Sequence, residues 1–122
     1  MGVSTAGTFA RELNIGVAYH RQVTGTNGTV VVVKRVDDGH PDTEEIRNLA
    51  RAAGYTVAGE VTQTRTEDPA LCLGEGKVAE LSELVVRTDA TAVVFDNRLG
   101  PYQTFNLGTE LPAGVDHLDA GR

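Results

Sequence analysis

The sequence lacks the features that mark a secreted, membrane-bound or disulfide-stabilised protein. Its one cysteine, Cys72, excludes an internal disulfide framework, and its place between two leucines predicts a small packing residue. No stretch approaches the roughly 20 apolar residues of a membrane-spanning helix. The first residues also lack the charged and then apolar pattern of a signal peptide. We therefore expect a cytoplasmic protein with no membrane partner.

Positive charge and metal-binding patterns are equally scarce. The formal net charge is −6 and the pI is near 4.9, which excludes a broad electrostatic surface for nucleic acid and leaves only local RNA contacts. The three histidines are scattered without metal-ligand spacing. No Ser-His-Asp or Cys-His pattern is present, so we predict neither a metal site nor catalytic residues.

The 122 residues suffice for one domain with an ordinary core. Residues 1–28 carry Gly, Thr and Ser at both ends, and we interpret them as an N-terminal extension that is either flexible or an added strand. The strand alternative rests on Ile15, Val17 and Tyr19, which alternate with small residues. Residues 29–122 then form the α/β domain itself.

Four segments have the composition of strands. The first, Thr29–Val36, contains four consecutive valines and is typical of a buried central strand. The second is Tyr55–Thr62, in which Gly59 indicates a bulge or close packing. The third and fourth are Thr91–Phe95 and Val115–Leu118, the fourth being an expected edge strand.

Three helical patterns lie between these strands. A capping-box pattern, Asp42 with Glu45, opens the first helix, which ends before Gly54. Pro101 takes the first position of the third helix, where its missing N–H costs nothing, and we expect Tyr102 and Phe105 to pack this helix on the sheet. The second and third helices are predicted over residues 76–87 and from Gly100 to about Leu107, before Gly108.

Strict alternation of strands and helices predicts a parallel sheet with right-handed crossovers. The fold class is therefore α/β, a three-layer sandwich with a four-stranded, mostly parallel sheet of order 2-1-3-4 and three main helices. Open α/β sheets place their ligands at the carboxyl ends of the strands. Those ends gather Lys34, Arg35, Asp37, Gln63, Arg65, Asp96 and Asn97.

A glycine turn stands where the second helix begins. It reads Gly74-Glu75-Gly76-Lys77, and a turn that opens a helix exposes unpaired N–H groups at the positive end of the helix dipole. Such a site suits an anion. We predict that Gly74, Gly76 and Lys77 bind a phosphate of a nucleotide or of RNA. The alternative is that the glycines serve only the turn and that Lys77 is solvated.

Several other rim residues are candidates for binding. Asp96 and Asn97 join the predicted nucleotide site: Asp96 is suited to orient a ribose hydroxyl, to pair with Arg65, to bind Mg²⁺ beside a phosphate, or to cap the following turn. Gln63 and Arg65 are predicted to contact RNA or another domain, with an exposed loop and an Arg–carboxylate pair as the alternative. Tyr102, near a helix start, is a candidate for stacking on an RNA base.

Six segments in order resemble the N-terminal domain of the HflX-type GTPases. Each segment alone is weakly specific, but their succession over residues 29–119 is specific. Haloarchaeal members are most similar, through the run Pro101–Thr104 and the later Leu107-Gly108. The segments are Thr62–Arg65, Asp68–Ala70, Leu73–Val78, Val93–Asn97, Leu99–Gln103 and Asn106-Leu107.

The resemblance implies that the protein associates with the ribosome, with large-subunit rRNA as the expected contact. It also implies a GTPase domain as a partner, in cis or in trans. It also implies nucleotide binding, ATP or GTP, with Mg²⁺ only when a nucleotide is bound and no cofactor required. The 122 residues contain no GxxxxGK[S/T] motif, so we expect a non-catalytic binding module. The alternatives are a small nucleotide-hydrolysing enzyme at the same site, or a structural or dimerising domain that forms homo-oligomers.

Overall fold

The computed structural model describes residues 27–120, in which strands and helices alternate along the chain. The predicted N-terminal extension lies outside the described residues except for Asn27 and Gly28. No helix in the described range is long and apolar enough to cross a membrane. The elements are β1 (Thr29–Val36), α1 (Glu44–Ala52), β2 (Thr56–Thr64), α2 (Glu75–Thr88), β3 (Ala92–Phe95), α3 (Pro101–Glu110) and β4 (Asp116–Asp119).

The four strands form one parallel sheet in the order β2-β1-β3-β4. This confirms the predicted fold class and strand order. Parallel neighbours cannot be joined by a tight turn, so each connection is a helix that crosses a face of the sheet. The two central strands are β1 and β3, the strands richest in valine, because they are covered on both faces.

Side chains of β1 alternate between two hydrophobic layers. Val31 and Val33 face α2 and α3 in a core that also contains Phe95. Val30 and Val32 face α1 on the opposite side. All four valines are fully buried, which explains why this strand has no polar residue between Thr29 and Lys34.

Gly59 has both of the predicted roles: it marks a bulge and it allows close packing. The β1–β2 register skips Ala58 between Val57 and Gly59, which leaves one extra residue in β2. A β-carbon on Gly59 would lie 3.1 Å from Leu84 Cδ2 of α2. The absent side chain therefore lets α2 approach the bulged strand.

The predicted boundaries of two helices need correction. The predicted capping box does not form with Asp42 as the N-cap residue: α1 begins after Thr43, and Asp42 Oδ1 accepts the N–H of Glu44 at 3.0 Å. Likewise α3 does not stop before Gly108 but continues to Glu110. A glycine inside a helix costs only about 1 kcal/mol, and the missing β-carbon of Gly108 permits close contact with the ring of His117.

Strand and helix ends elsewhere shift by one or two residues. β2 runs two residues beyond the predicted end and so takes in Gln63 and Thr64, while β3 starts at Ala92. β4 lies one residue later than predicted, and α2 is one residue longer at each end. None of these shifts changes the topology.

The prediction that Tyr102 and Phe105 pack against the sheet is wrong. Their exposed fractions are 66% and 70%. α3 instead buries Gln103 and Leu107, which are four residues apart on one helical face. The hydrogen bonds of Gln103 to the loop between β2 and α2 fix this helical face towards the protein. Both aromatic rings therefore lie on the outer side of α3.

Replacing Gly59 by valine is expected to lower the free energy of unfolding by about 1–3 kcal/mol, because the new side chain overlaps Leu84. Urea unfolding followed by circular dichroism measures this. Ala58→Val is the matched control, since Ala58 is exposed in the same bulge, and it should change stability by less than about 0.5 kcal/mol. Equal losses in both variants would contradict close packing of α2 on Gly59.

Candidate functional site at the carboxyl rim

The glycine turn lies at the carboxyl ends of the strands, as predicted. Gly74 is the N-cap residue of α2, and its N–H donates to Gln63 Oε1 at the end of β2, at 2.8 Å. The same residue starts the helical ladder, because Val78 N–H donates to Gly74 O at 3.0 Å. One side chain of β2 therefore fixes the position of the helix start.

Two side-chain donors converge on Gly74. A β-carbon at this position would lie 2.6 Å from Arg65 Nη1 and 3.2 Å from Gln63 Nε2. The guanidinium group and the amide therefore occupy the space that any other residue at position 74 would fill. Since Gln63 Oε1 accepts the Gly74 N–H, the Nε2 group of the same amide is left as a donor.

The first backbone N–H groups of α2 add to these donors. Within residues 27–120, the N–H groups of Glu75, Gly76 and Lys77 have no hydrogen-bond partner, as is usual for the first turn of a helix. Gly76 faces open space on its Cβ side. Lys77 Nζ pairs with Glu80 Oε1 one turn further on, at 3.0 Å.

The loop between β2 and α2 is tightly structured. Asp68 Oδ1 accepts the N–H groups of Ala70 and Leu71 at 2.8 and 2.9 Å, and the backbones of Asp68 and Cys72 exchange two hydrogen bonds. Asn106 Nδ2 of α3 donates to Ala70 O at 3.1 Å. The loop is therefore held in one shape from within and from α3.

Arg35 and Cys72 lie beneath this loop. Arg35 is 9% exposed, and its Nη1 donates to Asp37 Oδ1 at 2.7 Å and to Arg65 O at 2.8 Å. Its Nε is buried and has no hydrogen-bond partner among the described residues. Arg35 is among the residues predicted at the rim, where the sequence assigned it no role. The signal was available: Arg35 continues the alternation of Val31 and Val33, which points it to the α2 face.

The buried pair of Arg35 and Cys72 has perturbed acid–base properties. Burial raises the pKa of the Cys72 thiol, and the hydrogen bond and charge of Arg35 offset only part of that rise. Burial alone would lower the pKa of Arg35, but its hydrogen bonds to Asp37 and Cys72 outweigh this and the pKa is raised. Cys72 is therefore a neutral, fully buried thiol, in accord with the predicted packing role.

Asp96 and Asn97 are at the same rim but do not face the glycine turn. Asp96 is 7% exposed, and Lys34 Nζ lies 3.3 Å from its Oδ2 on the α1 side of the sheet. It thus pairs with Lys34 and not with Arg65. Asn97 exchanges two hydrogen bonds of 2.8 Å with the backbone of Arg35, so its amide joins β1 to the end of β3.

Tyr102 also stands apart from the donors at Gly74. It is exposed in the first turn of α3, and its neighbour Gln103 makes the contacts to the loop. The structure therefore brings together Gln63, Arg65, Gly74, Gly76 and the N–H of Lys77, and it leaves Asp96, Asn97 and Tyr102 outside this group. No group of three or more metal-ligating side chains occurs in the range that the structure describes.

These features define a small three-layer α/β domain with hydrogen-bond donors at the carboxyl rim of its sheet. A family described as GTP-binding GTPase N-terminal matches residues 40–117. The chain therefore belongs to this family, the N-terminal domain of the HflX GTPases, which confirms the resemblance seen in the sequence.

Individual relatives agree with the family match. A GTPase HflX from Thermofilum pendens is 42% identical over 99 residues, which cover 80% of this chain and 23% of the relative. The GTPase HflX of Thermococcus kodakarensis is 46% identical over 67 residues, which cover 55% of this chain and 15% of that relative. The GTPase HflX of Escherichia coli is 36% identical over 72 residues, which cover 58% of this chain and 17% of that relative. The chain thus spans less than a quarter of the length of these relatives.

Cys72 is expected to resist alkylation in the folded protein, because the reactive species is the thiolate and burial raises the thiol pKa. At pH 8, iodoacetamide should modify it on the order of 100-fold more slowly than in the urea-unfolded chain, so that the rate follows opening of the loop. Mass spectrometry over time measures both rates without ambiguity, since the chain has one cysteine. Similar rates in the two states would contradict a closed loop.

Proposed function

We propose that this domain is a non-catalytic binding module that holds a phosphate group at the start of α2. The observation that carries the proposal is the convergence of Arg65 and Gln63 on Gly74, beside the free N–H groups of the first helical turn. These groups are all donors, and one is a guanidinium, which forms the strongest hydrogen bonds with phosphate. A helix start adds partial positive charge to the same place.

The ligand we propose is a nucleotide phosphate, of ATP or GTP, or a phosphate of an RNA backbone. Mg²⁺ would accompany a nucleotide only. The relatives are named GTPases, so a GTPase domain in cis or in trans is the proposed protein partner. The family resemblance adds the ribosome, through large-subunit rRNA, and such a partner would place the protein in the cytoplasm.

Charge supports a local contact with RNA and not an extended one. The chain carries a net charge of −6, so most of its surface repels phosphate. Arg65 is exposed and makes no ion pair within the described residues. The proposed contact therefore involves one or two phosphates at the rim, with further affinity supplied by other parts of an assembly.

A dimerising domain is the second candidate, and the exposed Tyr102 and Phe105 favour it. Two aromatic rings three residues apart on the outer face of α3 form an apolar surface. Sedimentation equilibrium from 10 to 500 µM, roughly the range of a weak dimer, decides whether the isolated domain self-associates.

Gly74→Ala is expected to weaken binding of ATP or GTP about tenfold, because the new methyl group displaces the Arg65 guanidinium. Gly76→Ala is the matched control in the same helical turn: it keeps the backbone N–H that is proposed to bind, its Cβ would meet no atom, and it should bind within twofold of wild type. Isothermal titration calorimetry measures both. Absent binding in the wild-type domain, or equal affinity in the two variants, would contradict the proposed site.

Binding to short rRNA fragments is expected to depend weakly but measurably on salt. One or two phosphate contacts to a single strand give a slope of log K against log[salt] of about −0.7 to −1.4. Fluorescence anisotropy between 50 and 300 mM KCl, concentrations of the order over which such slopes are read, measures it. A slope near zero would remove phosphate contacts from the proposal, and a slope many times steeper would indicate a basic surface that the sequence lacks.

A further inference from the structure

Gln103 is a buried polar side chain that joins α3 to the loop before α2. It is 5% exposed. Its Oε1 accepts the N–H of Gly100 at 2.9 Å, and its Nε2 donates to Glu67 Oε2 at 2.7 Å and to Asp68 O at 3.0 Å. Both donor hydrogens and one acceptor position of the amide are thus in use, and the Glu67 carboxylate is held against α3.

Glu67 is a carboxylate that lies close in sequence to Arg65 of the proposed phosphate site. It follows Arg65 by two residues in the same loop, and after burial, the main cause, its charge adds a smaller contribution to the raised pKa of the Cys72 thiol. Arg65 nevertheless makes no ion pair: the salt bridges of the described residues join other cations. Its Nε donates to Thr66 O at 2.9 Å, and its Nη1 lies at Gly74.

We propose that Gln103 is a positioning residue for the phosphate site: by holding the Glu67 carboxylate on α3, it keeps the Arg65 guanidinium free to meet an anion at Gly74. This inference rests on the function proposed above. A guanidinium that forms an ion pair with a neighbouring carboxylate must lose that partner before it binds phosphate. An exposed ion pair of this kind weakens anion binding about two- to fivefold.

The test uses inorganic pyrophosphate as the probe, titrated by calorimetry at constant ionic strength. Gln103→Met removes both donors while keeping an unbranched side chain, and it should weaken binding about two- to fivefold. Adding Glu67→Gln to that variant removes the competing charge, and it should restore the wild-type affinity. Glu67→Gln alone should change the affinity by less than about twofold, because Gln103 already holds that carboxylate away.

Asn106→Ala is the matched structural control. Asn106 also ties α3 to the loop, through Ala70 O, but its removal frees no carboxylate. If Gln103 acts only by stiffening the loop, Asn106→Ala should weaken binding as much as Gln103→Met does, and Glu67→Gln should restore nothing. Either result overturns the proposal. Should Gln103→Met fail to fold, Glu67→Gln alone still decides, because a gain of more than about fivefold would show that Glu67 is not held away.

A measurement without ligand separates this inference from the proposed function. The Nε–H signal of Arg65 in a ¹H–¹⁵N NMR spectrum, assigned with Arg65→Lys, should shift in Gln103→Met and return in the double variant. An unchanged signal overturns the role of Gln103 even if pyrophosphate binds. If the signal behaves as expected but wild type binds no pyrophosphate, the proposed function falls and the role of Gln103 in freeing Arg65 stands.

Discussion

The guanidinium of Arg65 can lie against the start of α2 only because Gly74 has no β-carbon. That single steric condition links the end of β2 to the first turn of the helix. The parallel topology creates the meeting point, since a helix that follows a strand begins at the carboxyl rim of the sheet. Gln63 then fixes the register between the two elements through the Gly74 N–H, so that strand, loop and helix start form one unit.

Two different polar systems share this rim without merging. On the α2 side, Arg65 and Gln63 present unused donors. On the α1 side, Lys34 and Asp96 form an ion pair. The side-chain amide of Asn97 is occupied by its two hydrogen bonds to the backbone of Arg35. Side-chain alternation along the strands enforces this division. At this rim, the Arg65 guanidinium on the α2 side makes no ion pair with another described residue.

The sequence predicted the sheet because the valine-rich strands and the amphipathic helices that alternate with them are local patterns. It also placed the helix start at the correct rim, since that follows from topology. It could not show that Arg65 and Gln63 meet at Gly74, or that Gln103 holds Glu67, because these contacts span from 9 to 36 residues along the chain. The packing of Tyr102 was mispredicted for a related reason: a polar residue, Gln103, and not the aromatic rings, sets the phase of α3.

The central claim is that the free donors at Gly74 constitute the binding surface of this domain. Amide chemical-shift perturbation by pyrophosphate, recorded in ¹H–¹⁵N spectra of the uniformly labelled domain, tests it most directly. The account predicts that the largest shifts fall on the N–H groups of Glu75, Gly76 and Lys77, which lack partners in the described structure. Shifts centred instead on Lys34 and Asp96, or an unchanged spectrum, would contradict it.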